Sequence, residues 1–446
     1  MPLDTFALRG ETQCDVLIIG GGPAGTTAAA ILAAKGRRVV LLEKDRHPRF
    51  HIGESLLPLN LRILERLGVK EEVAASGVFK PGARFVSDEH GKHTTFSFAA
   101  GLNPAYTHAY QVKRSSFDEI LFRNARAAGA DAREGILVLD GVLDAAAGHR
   151  ITARDEAGAI HVFRARYLID ASGRDTFLAG AMGSKARNPH NNTAAIYAHF
   201  RGVAPFGEAE DGNITIHLFD EGWAWMIPLP DGVMSVGIVS NPGFFKRRRG
   251  GAEAFFLEAL RAVPSIARRM EGATLAGEVT MTGNYSYAST VMHGEGWLMA
   301  GDSYAFVDPV FSSGVLLAMA SAEMGAEVAD AWLDDPARAA PMARAFERKV
   351  RNAIGALSWL IYRINTPVLR DMFMEPRNAF RMRDGLVSLL AGDVHARLNR
   401  RGPVIAFKAA YYMLSLAYRL GFRLREGGLV RIGDRRSARV GAAAAG

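Results

Sequence analysis

From Cys14 to Asp45 the chain reads CDVLIIGGGPAGTTAAAILAAKGRRVVLLEKD, and the spacing of its apolar positions changes along the way. Cys14–Ile19 is a short apolar run rich in β-branched residues, the pattern of a strand buried on both faces. The Ala-rich stretch that follows, through Ala34, predicts a helix that stops at Gly36. Arg38–Leu42 predicts a second buried strand and delivers Glu43 at its end. Further on, Leu59–Leu67 and Glu71–Gly77 read as short helices. Gly77–Phe98 alternates apolar and polar residues, as strands of a second sheet do. In Gln111–Ala128, Ser116 with Glu119 three residues later predicts a capping box opening an amphipathic helix.

The period-two alternation returns over residues 134–170 and again over 193–240, so both stretches predict antiparallel strands. Arg248–Arg269 reads as helical and Val279–Ser289 as strand. Trp297–Ala300 is a short apolar strand, with a small-residue helix over Val315–Gly325. Residues 337–446 read as mostly helical, with loops near Pro376, Gly392 and Gly402-Pro403. No internal repeat is visible, and the final GAAAAG is low-complexity.

Composition narrows the class. With 49% hydrophobic and 22% charged residues among 446, the chain can bury a large core in two or three interwoven domains. Its single cysteine, Cys14, excludes a disulfide framework and a cysteine-based metal cluster. The first residues lack a basic segment followed by an apolar core, which predicts no signal peptide and a cytoplasmic location. The net charge of +8 is unevenly placed: from Arg397 onward eleven Lys/Arg face only Glu426 and Asp434, so the rest of the chain is close to neutral. No aromatic-interleaved basic motif accompanies them, so a nucleic-acid partner is not expected.

The first chemistry lies in Gly20-Gly21-Gly22-Pro23-Ala24-Gly25, which satisfies G-x-G-x-x-G between a strand and a helix. Gly20 suits the tight turn, Gly22 lets backbone approach a pyrophosphate, and Gly25 lets helix pack on strand. Glu43 stands where a carboxylate can meet a ribose hydroxyl, with Lys44 beside it. Two distant segments join this unit: Asp170-Ala171-Ser172-Gly173-Arg174 at a strand end, and Gly301-Asp302-Ser303 after another. The trio resembles the flavoprotein monooxygenase (p-hydroxybenzoate hydroxylase-like) superfamily. That resemblance implies FAD, with Asp170, Gly173, Gly301 and Asp302 around it. It also implies a flavin-side role for Arg114 in QVKRSSFD.

Two more segments narrow the resemblance to flavin-dependent halogenases. Trp223-Ala224-Trp225-Met226-Ile227-Pro228 fits W-x-W-x-I-P, and Phe306–Gly314 reads FVDPVFSSG. In a strand Trp223, Trp225 and Ile227 share one face, and the resemblance makes the two indoles a shield between organic substrate and flavin. Pro309 and Gly314 are then cofactor neighbours. A helix N-terminus at Ser313 and Gly314 offers backbone N–H groups suited to chloride or bromide. Lys80, in KPGARF, matches a family lysine that meets hypohalous acid near an electron-rich ring. Burial would favour its neutral amine. Glu54 and Ser55, in HIGESLLP, match a segment beside the flavin.

The fold class implied is α/β plus antiparallel β: a glutathione-reductase-type FAD-binding fold with a β-sheet substrate domain and a helical C-terminal domain. The expected borders are 1–78, 108–185 and 280–340 for the FAD unit, 79–107 and 186–279 for the substrate unit, and 341–446 for the helices. The implied reaction uses reduced FAD (FADH2), O2 and a halide ion to halogenate a phenolic or pyrrolic ring, free or bound to an acyl carrier protein. Asp371–Asp393 also resembles halogenases of that kind. No second glycine motif for NAD(P)H is present, so reduced flavin comes from a separate flavin reductase or from transiently bound NAD(P)H. No metal site is expected, since H-E-x-x-H and close His/Asp clusters are absent. An aromatic hydroxylase and an isoprenoid-type FAD-dependent reductase share most of these elements, and a flavin-binding protein without turnover is a third alternative. The apolar segment Pro403–Phe422 with its basic surroundings suggests packing on the body, or peripheral contact with a membrane or an acidic partner.

Overall fold

The computed structural model describes residues 11–189, 191–207, 212–283, 286–393, 401–425 and 428–431. Four strands whose paired ends are mostly apolar form its centre. Trp297–Met299, Ile160–Asp170, Thr12–Ile19 and Val39–Leu42 lie side by side in parallel, with Asp131–Arg133 at the far edge. Ile19 pairs with both Asp170 and Leu42, and Asp170 pairs with Met299, so these strands end level with one another. The segments expected to carry cofactor chemistry therefore leave the sheet along one edge, where ligands of such sheets sit. The Ala-rich helix Pro23–Ala34 and the small-residue helix Gly314–Asp334 pack together against that sheet.

A second sheet runs Ala194–Arg201, Val233–Ser240, Gly222–Leu229, Ile214–Phe219, Gly82–Ser87, Lys92–Ser97, all antiparallel except Ile214–Phe219 beside Gly82–Ser87. Its two faces separate by residue parity. Trp223, Trp225 and Ile227 join the core shared with the C-terminal helices, while Ala224 and Met226 join a smaller core under Ala252–Arg261. The C-terminal helices Pro336–Ile361, Pro367–Met374, Met382–Leu390 and Gly402–Arg419 cover the first of these faces. Phe373 meets Phe85 and Phe96 edge-on, with ring centroids 4.7 and 5.4 Å apart.

Several boundaries differ from the sequence expectation. The helix expected at Ser116 begins at Arg114 and has no side-chain cap; Arg114 instead pairs with Asp118 one turn on. The helical stretch 248–269 breaks at Pro264 into Ala252–Arg261 and Pro264–Arg269, since proline ends the preceding turn. The helix expected over Val315–Gly325 continues to Asp334. Gly402-Pro403 opens a helix rather than interrupting one, Pro403 standing in its first turn. After it come two paired strands, Phe422–Arg425 and Gly428–Arg431, where helix was expected. The rest of the basic tail, Arg435, Arg436 and Arg439 included, lies outside the described residues, as do Arg397 and Arg400.

Candidate functional site

A cavity of about 480 Å³ lies between the edge of the parallel sheet and the Trp223–Ile227 face of the second sheet. At one end, Gly20 has φ +101°, and a side chain there would come within 2.3 Å of the Ala171 carbonyl oxygen. A Cβ on Gly25 would stand 1.9 Å from the Gly20 carbonyl oxygen, so Gly25 serves helix–strand packing and does not line the cavity. Gly22, Pro23 and Ala24 do line it. Gly22 caps the helix without a side-chain hydrogen bond, leaving first-turn N–H groups aimed at the cavity.

Glu43 closes this loop: its Oε2 accepts from the Gly21 N–H at 2.7 Å and its Oε1 from the Asp45 N–H at 2.9 Å. Arg49 reaches the same carboxylate at 3.2 Å. Lys44 lines the rim, paired with Asp175 at 2.5 Å.

The two acids expected at strand ends around the cofactor, Asp170 and Asp302, divide. Asp170 does not face the cavity. It is fully buried, and its two oxygens accept from the Ser172 and Leu178 N–H groups at 2.9 and 2.8 Å. Its work is to hold the turn that brings Gly173, φ +62°, into the wall. Gly301, φ +64°, likewise turns the chain, its N–H donating to Ser321 Oγ at 2.9 Å. Asp302 follows it into the wall. Burial pushes its carboxyl up to about 6, against the pull of Arg114 and Arg174. Arg114 is buried at the wall, forked onto Asp118 at 2.7 and 2.8 Å and donating to the Ile52 carbonyl.

At the opposite end the 21-residue helix Gly314–Asp334 points its N-terminus into the cavity. Ser312 adopts φ +57°, which turns Ser313 and Gly314 inward, and no side chain caps the helix. Pro309 and Asp308 share this wall. Asp308 is a carboxylate that the sequence reading did not single out. Its oxygens already accept from the Val310 N–H and the Thr193 hydroxyl, so it does not compete for the Ser313 and Gly314 amides. Burial raises its carboxyl to about 6.

Trp223 and Trp225 form one side of the cavity, their rings 5.8 Å apart and almost wholly buried. Across from them Glu54 accepts from or donates to His199 Nε2 through Oε1 at 2.7 Å, while its buried Oε2 has no partner. Phe50 covers that pair, 5.5 Å from the His199 ring and 6.4 Å from Tyr197. His199 and Tyr197 were not expected here. Both sit on Ala194–Arg201, outside any motif and separated by one strand, Val233–Ser240, from the strand that carries Trp223 and Trp225, and only the fold brings them in.

Lys80 lies behind this cavity, in a smaller one lined by Phe85, Phe98, Ile216 and Leu390. It is 1% exposed; its Nζ donates to Ser55 Oγ and to the Leu56 carbonyl, both at 2.8 Å, and stands 5.3 Å from the Phe98 ring centre. With no carboxylate nearby, burial lowers its amine from 10.5 to about 7. Ser312 and Ile214 border both cavities, and Ser55 borders the large one while accepting from Lys80.

These residues fit FAD. Side chains are excluded where a pyrophosphate must approach, an uncapped helix faces each end, and the lining acid Glu54 has a buried oxygen without a partner. Comparison with known proteins agrees. The FAD binding domain family matches residues 13–325. The chain is 38% identical over 320 residues to a tryptophan 2-halogenase of Chondromyces crocatus, covering 70% of this chain and 60% of that one. It is 35% identical to a 1H-pyrrole-2-carbonyl-(peptidyl-carrier protein) brominase of Pseudoalteromonas luteoviolacea, covering 71% and 76%. The crystal structure of a myxobacterial chondrochloren halogenase superposes with a TM-score of 0.73 at 34% identity, covering 78% of this chain and 81% of that one. The chain thus spans less than two thirds of the tryptophan 2-halogenase's length.

Proposed function

The chain belongs to the flavin-dependent halogenases, and from that premise we propose that it uses reduced FAD, O2 and chloride or bromide to halogenate an electron-rich phenolic or pyrrolic ring. The observation that carries this reading is the pair of adjoining cavities, one suited to FAD and one holding a buried amine near neutrality. When bound, reduced FAD supplies two electrons and the halide two more, reducing O2 to hypohalous acid and water. The protein's part is placement. Gly20, Gly22 and the helix Pro23–Ala34 hold the pyrophosphate, Glu43 the adenosine ribose, and Asp302 the ribityl chain. Ser313 and Gly314 N–H groups hold halide, where a helix N-terminus favours negative charge.

Trp223 and Trp225 keep the organic ring out of the large cavity, so the halide meets the oxidant first. Ser55, Ser312 and Ile214 mark the passage to Lys80. Near pH 7 about half of Lys80 is neutral, and it can hydrogen-bond hypohalous acid or carry its halogen to the ring. Glu54, steadied by His199, positions groups on the flavin side.

Reduced flavin comes from a separate reductase, and the ring is a free small molecule or is carried on an acyl carrier protein. The test supplies FAD, an unrelated flavin reductase with NADH, bromide and a panel of phenols and pyrroles. Bromide-dependent products heavier by one bromine for hydrogen support the reading. Hydroxylated products without halide dependence would assign a hydroxylase, and anaerobic saturation of an isoprenoid double bond would assign a reductase.

A further inference from the structure

The helix Gly402–Arg419 is apolar on both sides. Val404, Phe407 and Tyr411 are buried against the body. Its outward face carries Ile405, Tyr412, Met413 and Leu416, continued by Leu420; Met413 is 67% and Leu416 59% exposed. At 1.5 Å per residue this ridge is about 22 Å long. A helix on a protein surface ordinarily turns polar residues to water, so an outward face this apolar, broken only by Lys408, Ser415 and Arg419, is the mark of an interaction surface.

A neighbouring turn extends the ridge. Ala379–Arg381 packs against this helix, and Phe380 and Arg381 both take positive φ, 52° and 57°. That left-handed backbone is uncommon for bulky residues, and here it holds Phe380 outward, 86% exposed. Charge frames the apolar strip. Arg377, Arg381, Arg383, Arg419, Arg425 and Arg431 are all exposed. Among the described residues between 376 and 431 the carboxylates are Asp384, held by Arg381, and buried Asp393.

We infer that this ridge seats the protein on an anionic lipid bilayer, the helix Gly402–Arg419 and Phe380 lying in the plane of the interface with the arginines on the headgroups. A bilayer accepts an exposed apolar helix face without a matching groove, and its negative headgroups complement the arginine frame. The contact is in the plane, because no helix among the described residues is long and apolar enough to cross a membrane. The helix backs onto Met382–Leu390, whose Leu390 walls the Lys80 cavity.

This inference stands apart from the halogenase chemistry and has its own test: co-sedimentation of the full chain, with FAD, on phosphatidylcholine vesicles with and without phosphatidylglycerol. The expected result is partition at least about tenfold stronger onto the anionic vesicles, weakened by salt. Met413→Asp/Leu416→Asp should abolish it, and Arg377→Glu/Arg419→Glu should remove the preference for anionic lipid. All four positions are exposed, and retained FAD binding checks the fold. Three results overturn the inference: no partition onto either vesicle, unchanged partition by the aspartate variant, or a soluble dimer or carrier-protein complex that the aspartate variant dissolves while vesicles bind nothing.

Discussion

Replacing Lys80 by methionine separates its chemistry from its place in the core. The chain keeps its length and apolar stem but loses a buried amine held near a pKa of 7 against an ordinary 10.5. At pH 7 an unfolded lysine is fully protonated while the folded one is about half so, which costs the native state about 4 kcal/mol. Methionine removes that cost. It also removes the bond to Ser55, worth about 1 kcal/mol, and orphans the Leu56 carbonyl, worth about 2 kcal/mol. Lys80→Met should therefore fold with stability close to the parent's at pH 7.

The sign of the pH dependence follows from the lowered value. Between pH 7 and 10.5 the unfolded state binds more protons, so the parent gains stability as pH rises, and the variant does not share that gain. By pH 10 the parent's cost has fallen to about 1 kcal/mol, so the difference between the two proteins shifts by about 3 kcal/mol in the parent's favour. Urea unfolding with saturating FAD at both pH values measures it, since the lost contacts cancel in the comparison. A difference that does not move with pH would refute the claim that this amine is desolvated and unpaired with any carboxylate.

Other substitutions test the cavity walls. A Cβ at Gly237 would stand 2.2 Å from the Trp225 ring; Gly237→Ala should push the indole toward the cofactor, lowering stability by about 1–3 kcal/mol and weakening FAD binding measured by fluorescence titration. At Gly314 a Cβ meets nothing within 4 Å. Gly314→Ala should keep or slightly raise thermal stability, the first helical position gaining only part of the about 0.5–1 kcal/mol that the change brings inside a helix, yet raise the halide concentration needed for half-maximal turnover. Asp302, raised from 3.8 to about 6, binds more protons folded than unfolded between those values, so it subtracts stability as pH climbs from 4 to 6. Asp302→Asn should stabilise the FAD-free protein by about 3 kcal/mol at pH 7, lose most of that gain near pH 4, and bind FAD more weakly.

The parallel sheet and its glycine turn were legible because both obey local rules. Cys14–Ile19 and Arg38–Leu42 are apolar where a strand covered on both faces must be, and the strands found are Thr12–Ile19 and Val39–Leu42. That Trp223, Trp225 and Ile227 share one face followed from strand parity, while their role as a shield came only from the resemblance. Lys80 was legible only by resemblance: nothing in KPGARF says that Ser55 and Leu56 will meet its amine, a contact across 25 residues that depends on Val78–Lys80 pairing with Ala109–Gln111, to which the Glu54–Leu56 segment is also bonded.

Asp170 misled for a related reason. A carboxylate at a strand's end can reach a ligand or its own following turn, and only the observed N–H groups of Ser172 and Leu178 decide between them. His199 gave no local signal, because its partner Glu54 is 145 residues away. Asp308 did stand inside FVDPVFSSG, and an acid next to a proline within an apolar segment was a cue available to sequence reading. The closing strands Phe422–Arg425 and Gly428–Arg431 were missed because four residues each, FRLR and GLVR, are too short a pattern to outweigh the helical one before them.

The central claim is that oxidant is made in one cavity and spent in the other. The direct measurement follows Lys80→Met and its parent with reduced FAD, O2 and bromide, scoring both bromination of the ring substrate and bromination of a small diffusible acceptor added outside. The account predicts that the variant still brominates the diffusible acceptor while ring bromination falls by at least about a thousandfold, the scale of a lost catalytic group. Ring bromination that persists in the variant, or loss of both activities together while FAD still binds, would contradict it.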